Sequence, residues 1–266
     1  MRHTALAAIA VCLLFPLVWT LLAAFGITPD NSSQPPVWAG PPTLEKFTEV
    51  GVSEPAFWTE LITSTAIALC ATGVTIAASF LAAYALARTP FSGRRVTVQS
   101  FLVLASLPAM AYVIPLSDAM RRVHLLDTFA GVMLSEAAAT APLAVFVLYG
   151  VIAQLPIEGE EAAVIDGASL FAVLGRVVVP AVAPGIAATA IVVFVLDWNT
   201  LLVPLVLTGG EVRTVPVAMS DFFTFERELE WPVAAAALMV SLAPLALIVA
   251  VFSRAVTSFR LQADPG

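Results

Sequence analysis

Between two long apolar runs the chain reads Leu155-Pro-Ile-Glu-Gly-Glu-Glu-Ala-Ala-Val-Ile-Asp-Gly-Ala-Ser169 and continues to Val177-Val-Val-Pro180. Pro156 stops the apolar helix that precedes it. The acids Glu158, Glu160 and Glu161 suit the positive N-terminal end of a new short helix, and Gly167 ends or kinks that helix where a side chain would obstruct close packing. The spacing predicts a short helix lying along a membrane surface between two spanning segments. On it, Ala162 and Ala163 offer a low-profile face to another protein, and Glu161 can pair with a basic group there. The plain alternative is an amphipathic loop helix with no partner.

The rest of the chain explains why such a helix lies against a membrane. Of its 266 residues 60% are hydrophobic and only 12% charged, and the mean hydropathy is +0.96, so lipid is the solvent for most of it. A spanning helix needs about 20 mostly apolar residues to cross roughly 30 Å of hydrocarbon. Six segments meet that length: 5–25, 61–86, 98–120, 129–153, 181–207 and 233–252. The expected class is therefore an all-α polytopic membrane protein with about six transmembrane helices. The first apolar run exceeds a usual signal-peptide core and no Ala-x-Ala site closes it, so it reads as a retained helix.

Alternating the spans puts Arg2, Arg88, Arg94, Arg95, Arg176, Arg254 and Arg260 on one side and Lys46, Arg121, Arg122, Arg213 and Arg227 on the other. By the positive-inside rule the seven are cytoplasmic, as are both termini, and 154–180 is the one sizeable cytoplasmic loop. The organisation expected is a first helix and outer loop over 1–59, a core over 60–256 carrying that loop, and a cytoplasmic tail over 257–266. The outer connections are 26–60 and 208–232, the latter carrying Arg213, Glu226, Arg227, Glu228 and Glu230.

Several function classes drop out. The net charge of -7 and scattered basic residues offer no phosphate-tracking stripe, which excludes nucleic acid. Cys12 and Cys70 sit inside apolar runs without metal-ligand spacing and read as small hydrophobes. No Gly-x-x-x-x-Gly-Lys-Ser/Thr phosphate loop occurs, so any ATP chemistry belongs to another protein. No catalytic Ser/His/Asp, His-rich or paired-carboxylate grouping points to an enzyme. An ion-coupled secondary transporter is the rival class, but inverted repeats and paired broken helices are not apparent.

The quoted stretch, Glu161-Ala162-Ala163, three residues, Gly167, nine residues, then aliphatics at 177 and 179 and Pro180, resembles the EAA loop of permeases in ATP-binding-cassette importers. Further fragments resemble the smaller permease subunit of maltose-type carbohydrate importers. These are Ala83-Tyr-Ala-Leu-Ala-Arg88 with Phe91 and Gly93, Leu107-Pro108, Ile114-Pro-Leu116, Leu126-Asp-Thr128, Pro142, Asp166-Gly-Ala-Ser169, Trp198-Asn199 and Pro204-Leu205. The second span departs from the family's usual Asn-Ser start, having Thr63-Ser64-Thr65, and the first outer loop has no counterpart.

The resemblance implies a type I importer permease fold in a bacterial cell membrane. It implies that Glu160, Glu161, Ala162, Ala163, Asp166, Gly167 and Pro180 couple the chain to an ATPase. The partners implied are a second homologous permease, two copies of a nucleotide-binding ATPase that carry ATP-Mg, and an extracytoplasmic solute-binding lipoprotein delivering a sugar. No cofactor is expected on this chain itself.

Two acids fall inside predicted spans, where a charge costs roughly 2.5–3.5 kcal/mol on insertion scales. In Asp197-Trp198-Asn199, an aromatic platform beside hydrogen-bonding groups suits the apolar face and hydroxyl edge of a sugar in a solute path. The same residues equally suit holding helices together. Glu136 is expected near the outer end of the fourth span, solvated. Pro108, Pro115, Pro142, Pro184, Pro204 and Pro244 are expected to break or bend the spans that hold them.

Overall fold

In a computed structural model the chain is described over residues 2–30, 37–39, 41–51, 54–220 and 231–262, with side chains placed over 10–28, 41–51, 54–220 and 231–251. Ser33, Glu226, Arg227, Glu228, Glu230 and residues 263–266 lie outside the described residues, as do the side chains of Arg2, Arg254 and Arg260.

An apolar chain in lipid must close its own backbone hydrogen bonds, and helix is the local way to do so. The order is α1 (Arg2–Ala24), a two-stranded antiparallel ribbon of β1 (Thr28–Asp30) and β2 (Val37–Ala39), then α2 (Glu45–Glu49) and α3 (Pro55–Arg88). Next come α4 (Arg94–Ala105), α5 (Ala109–Arg122), α6 (Phe129–Ile152), α7 (Glu158–Ile165) and α8 (Leu170–Val173). A π-helical turn over Leu174–Val178 leads into α9 (Val179–Trp198), followed by α10 (Leu202–Leu207), α11 (Val215–Ser220) and α12 (Trp231–Gln262). The all-α class stands, with the ribbon a small addition inside the first outer loop.

Among the described residues four helical stretches are long and apolar enough to cross a bilayer: α3, α6, Leu170–Trp198 and α12 over Trp231–Val251. Helix α1, 23 residues long, occupies the first expected span. The expected third span is not one helix. α4 and α5 meet at 94° and count as a fifth crossing only if taken together. The cause is local: Pro108 has no N–H and forces Leu107 out of the helical region, so α4 ends before the pair and Pro108 caps α5 from an extended conformation. Pro115, Pro142, Pro184 and Pro244 lie inside continuous helices.

The expected fifth span also differs. Its helix starts at Leu170 rather than Ala181, because Ser169 caps it by accepting from the Ala172 N–H at 3.4 Å. Pro180 then falls inside this continuous helix, directly after the π turn, which is where the regular hydrogen-bond ladder is already interrupted. The helix stops at Trp198 because the Asn199 side-chain amide donates to the Val195 carbonyl at 2.7 Å, competing for the helical acceptor.

Backbone contacts divide the chain into two units, 1–64 with 213–244 and 65–212 with 245–266. In the first, Ala23, Ala24, Ala235 and Ala236 form a small-residue core with Phe47 and Val50 against it. Arg213 pairs with Glu60 at 3.1 Å, and the Ser64 hydroxyl accepts from the Val215 N–H at 2.6 Å. In the second, Phe80 and Ala83 of α3, Leu148 and Ile152 of α6, Val173, Leu174, Val178 and Val182 make one core cluster. That cluster is the floor on which α7 rests. Gly185 lies so close to Val151 that an added Cβ would meet its Cγ1 at 2.6 Å, so glycine sets the α6–α9 separation.

Candidate functional site

α7 is two turns long and owes its shape to its ends. Glu158, Glu160 and Glu161 occupy its first turn, as its dipole favours. At the other end Gly167 has φ +83°, and its N–H reaches the Val164 carbonyl at 3.0 Å while the Ala168 N–H reaches the Ala163 carbonyl at 2.9 Å. This is a Schellman closure, which needs a residue that enters the left-handed region without strain.

Helical geometry separates residues that adjoin in sequence. Ala163 packs on the core cluster beneath, whereas Ala162 is exposed, so only one of the two alanines expected to face a partner points outward. Glu161, Asp166 and Pro180 are exposed; Ile165 is 85% exposed and Phe171, on the following helix, 83%. The outward surface therefore combines an acid, a small residue and large unpacked apolar groups, a composition suited to a protein contact.

Glu160 turns the other way. Arg88, the last residue of α3, donates to its Oε1 from Nε at 2.9 Å and from Nη2 at 2.6 Å, and the same Nη2 donates to the Leu155 carbonyl at 3.0 Å. The Tyr84 hydroxyl donates to Glu160 Oε2 at 2.8 Å. Tyr84 and Arg88, four residues apart, share one face of α3. Glu160 is buried and Arg88 partly buried.

A second polar region lies within the spanning helices. Thr75 of α3 donates to the Ala137 carbonyl at 3.2 Å and meets Thr140 at 3.3 Å, and Ser79 donates to the Ala141 carbonyl at 3.3 Å. Such hydroxyls tie helices where lipid offers no partner. Asp197 faces this seam, 3% exposed, and accepts from Thr72 at 3.4 Å. Glu136, expected to be solvated, is also 3% exposed. It is two turns into α6 on the face shared with Val132, Ser135 and Thr140, all buried, so it points inward. Among the described residues Asp197 Oδ1 and Glu136 Oε2 have no hydrogen-bond partner. Trp198 is buried against Phe194, ring centroids 6.0 Å apart, and Asn199 alone of its trio is exposed.

A third carboxylate lies outside the spans. Asp127, at φ +53°, accepts from the Val212 N–H at 3.1 Å and the Glu211 N–H at 3.2 Å, while its own N–H reaches the Leu207 carbonyl at 2.9 Å. Burial pushes its pKa up, but the surrounding backbone N–H groups outweigh this and hold it below the ordinary value. Next to it, Thr128 caps α6 by accepting from the Gly131 N–H at 3.0 Å, and any side chain at Gly131 would collide with the Leu125 carbonyl.

Sequence reasoning missed Tyr84 and Arg88 as partners of Glu160. The signal available was their four-residue spacing at the end of a span, opposite an acid-rich loop.

A profile for the family described as binding-protein-dependent transport system inner membrane component matches residues 75–258. The chain is similar to the sulfoquinovosyl glycerol transport system permease protein of Agrobacterium fabrum, 30% identical over 97% of this chain and 90% of that protein. It is similar to the trehalose/maltose transport system permease protein of Thermococcus litoralis, 32% identical over 94% of this chain and 90% of that one. Its fold matches, at a TM-score of 0.75 and 20% identity, a chain in the crystal structure of a bacterial ABC transporter involved in the import of the acidic polysaccharide alginate, covering 95% of this chain and 94% of that one. The fold is accordingly that of a type I importer permease. The chain belongs to the inner membrane components of binding-protein-dependent transport systems, as a multi-pass permease subunit without catalysis of its own.

Proposed function

We propose that this chain forms one half of a translocation pathway for a sugar or sugar-like solute and that α7 is where an ATPase docks to drive it. The observation that carries the reading is the outward face of α7, with Glu161, Ala162 and the projecting Ile165, on a helix closed by Gly167 and seated on the core of α3, α6 and α9. A short rigid helix of this kind fits a cleft on a partner, and Glu161 is placed to meet a basic group there. Asp166 and Gly167 set where the helix ends, and Pro180 where α9 begins. The carbohydrate class rests on the names of the relatives, which carry sulfoquinovosyl glycerol and trehalose or maltose.

The assembly proposed has a second homologous permease, two ATPase copies holding ATP-Mg, and an external solute-binding protein. Both termini and α7 face the cytoplasm, and the core runs over 60–256 between the first helix with its outer loop (1–59) and a tail at 257–266. ATP-driven closure of the ATPase pair displaces α7 and turns the spans attached to it, a two-state element biased by a ligand. Of the three residues expected along the solute path, the exposed Asn199 is the one positioned for hydroxyl groups, while Asp197 ties α9 to α3 through Thr72 and the buried Trp198 packs on Phe194 of its own helix.

Glu161→Lys reverses a charge at the contact and Gly167→Asp puts a side chain at a left-handed position, so both should lose transport-coupled ATP hydrolysis while the chain remains inserted. Wild-type uptake and hydrolysis in both variants, at equal membrane abundance, would remove the docking assignment.

A further inference from the structure

We propose that Arg88, assisted by Tyr84, is the positioning residue through which α7 moves α3, making its grip on Glu160 the mechanical link between the docking helix and that span. The inference rests on the docking role proposed for α7. α7 is joined covalently to α6 before it and to α8 after it, but α3 lies 72 residues away in sequence and is reached through side chains alone. The apolar seat of α7 is Ala163 over a core cluster shared by several helices, a small smooth surface that does not single out α3 and that transmits a push but slides under a pull or a twist.

The polar part behaves differently. A guanidinium fork holding one carboxylate oxygen and a backbone carbonyl, with a phenol on the second carboxylate oxygen, fixes direction as well as distance. With Glu160 buried and Arg88 partly buried, little water competes for these bonds, and their several directions let the link resist displacement in either sense. It also grips at two points of the sequence, since Leu155 precedes α7 and Glu160 lies within it. The Tyr84 and Arg88 pair thus gains a task that composition alone gives no reason for, two polar side chains one turn apart at the end of an apolar helix.

The test uses the complete transporter in proteoliposomes, with its ATPase and solute-binding protein. Arg88→Met should retain the ATPase and its hydrolysis but lower the solute moved per ATP by roughly 2- to 30-fold, the range for residues that carry coupling between sites. Arg88→Lys, which keeps the charge without the fork, should fall between. Spin labels on cysteines at Ala85 and Glu158, in a Cys12→Ser, Cys70→Ser background, should keep one separation through the ATP cycle in the wild type and spread in Arg88→Met. Unchanged solute-to-ATP stoichiometry, or an unspread label distance, overturns the link, as does loss of the bound ATPase, which would make Arg88 a docking support. If Arg88→Met does not assemble, Arg88→Lys and Tyr84→Phe carry the test, and wild-type stoichiometry in both overturns it. Failure of the docking reading looks different: the wild-type complex would lack ATP-dependent uptake, or Glu161→Lys would leave coupling intact.

Discussion

Glu160 and the pair Glu136 and Asp197 are all carboxyls closed off from solvent, in the same unit of one chain, and their surroundings are opposite. Glu160 has a guanidinium on one oxygen and a phenol on the other. The two acids deeper in the spans have a threonine at 3.4 Å from one oxygen of Asp197 and unpartnered atoms at Asp197 Oδ1 and Glu136 Oε2. A buried ion pair that satisfies every lone pair in reach gains little over an apolar substitute, yet it is costly to break because the survivor is stranded. Such a site specifies geometry. An acid without a counter-charge specifies nothing so definite, and as an anion it burdens the fold. The first kind belongs where an element must be held in one register, which is the situation of α7. The second belongs where a chain tolerates cost for something other than stability.

That contrast is sharpest when each region loses one group. Glu160→Ala leaves the partly buried Arg88 without its carboxylate and is expected to destabilise the chain by about 1–3 kcal/mol. Reversible unfolding in mixed detergent micelles measures this, and a loss below about 1 kcal/mol, the scale of an exposed pair, removes the claim that the clamp is a partly buried ion pair. Glu136→Gln should go the other way, with no loss and a gain bounded by the roughly 2.5–3.5 kcal/mol that a charge costs inside a bilayer. A large destabilisation by this nearly isosteric change would mean that the Glu136 carboxylate has a counter-charge and that the two regions are alike.

A smaller effect tests the hydroxyl seam. Thr72→Val keeps the shape of the side chain and removes one of the two threonine hydroxyls, Thr72 and Thr140, that face the Asp197 carboxyl, at a cost of about 1 kcal/mol. The double variant Thr72→Val with Asp197→Leu should recover most of that loss, because no buried acceptor remains to be satisfied. Non-recovery would place the role of Thr72 in helix packing.

These sites differ in how far the sequence announced them. The apolar runs, the acid-rich start of α7 and the glycine at its end follow from local rules of length, dipole and handedness, and Gly167 at φ +83° is where such rules put it. The break at Leu107-Pro108 carried its signal too, but hydropathy over 98–120 is continuous, and reading by composition joined what Pro108 separates. What was not legible is facing. Ala162 and Ala163 look equivalent in sequence, yet Ala162 is exposed and Ala163 packs on the core, and Glu136, expected to be solvated, points inward. Facing is settled by which neighbours close around a helix, and Arg88 and Glu160 meet across 72 residues that no local rule spans.

Asp127 supplies the intermediate case, a carboxylate satisfied by backbone N–H groups and lying outside the spans. Its pKa is raised by burial and lowered more by the N–H groups of Val212, Glu211, Gly209 and Gly210, so its folded value is below the ordinary one. The sign of the linkage follows. The unfolded chain binds this proton more readily, so the stabilisation is complete above the ordinary carboxylate range and is lost as pH falls through the folded value. Asp127→Asn retains a residue that tolerates the left-handed backbone and an oxygen for the Val212 N–H, but removes the charge, so it should cost about 1 kcal/mol at neutral pH. The difference between wild type and variant should vanish in acid, since both side chains are then neutral. A gap that persisted unchanged at low pH would locate the effect in the shape of the loop around residues 207–212, and Asp127 would then resemble the unpartnered acids of the spans more than the clamped Glu160.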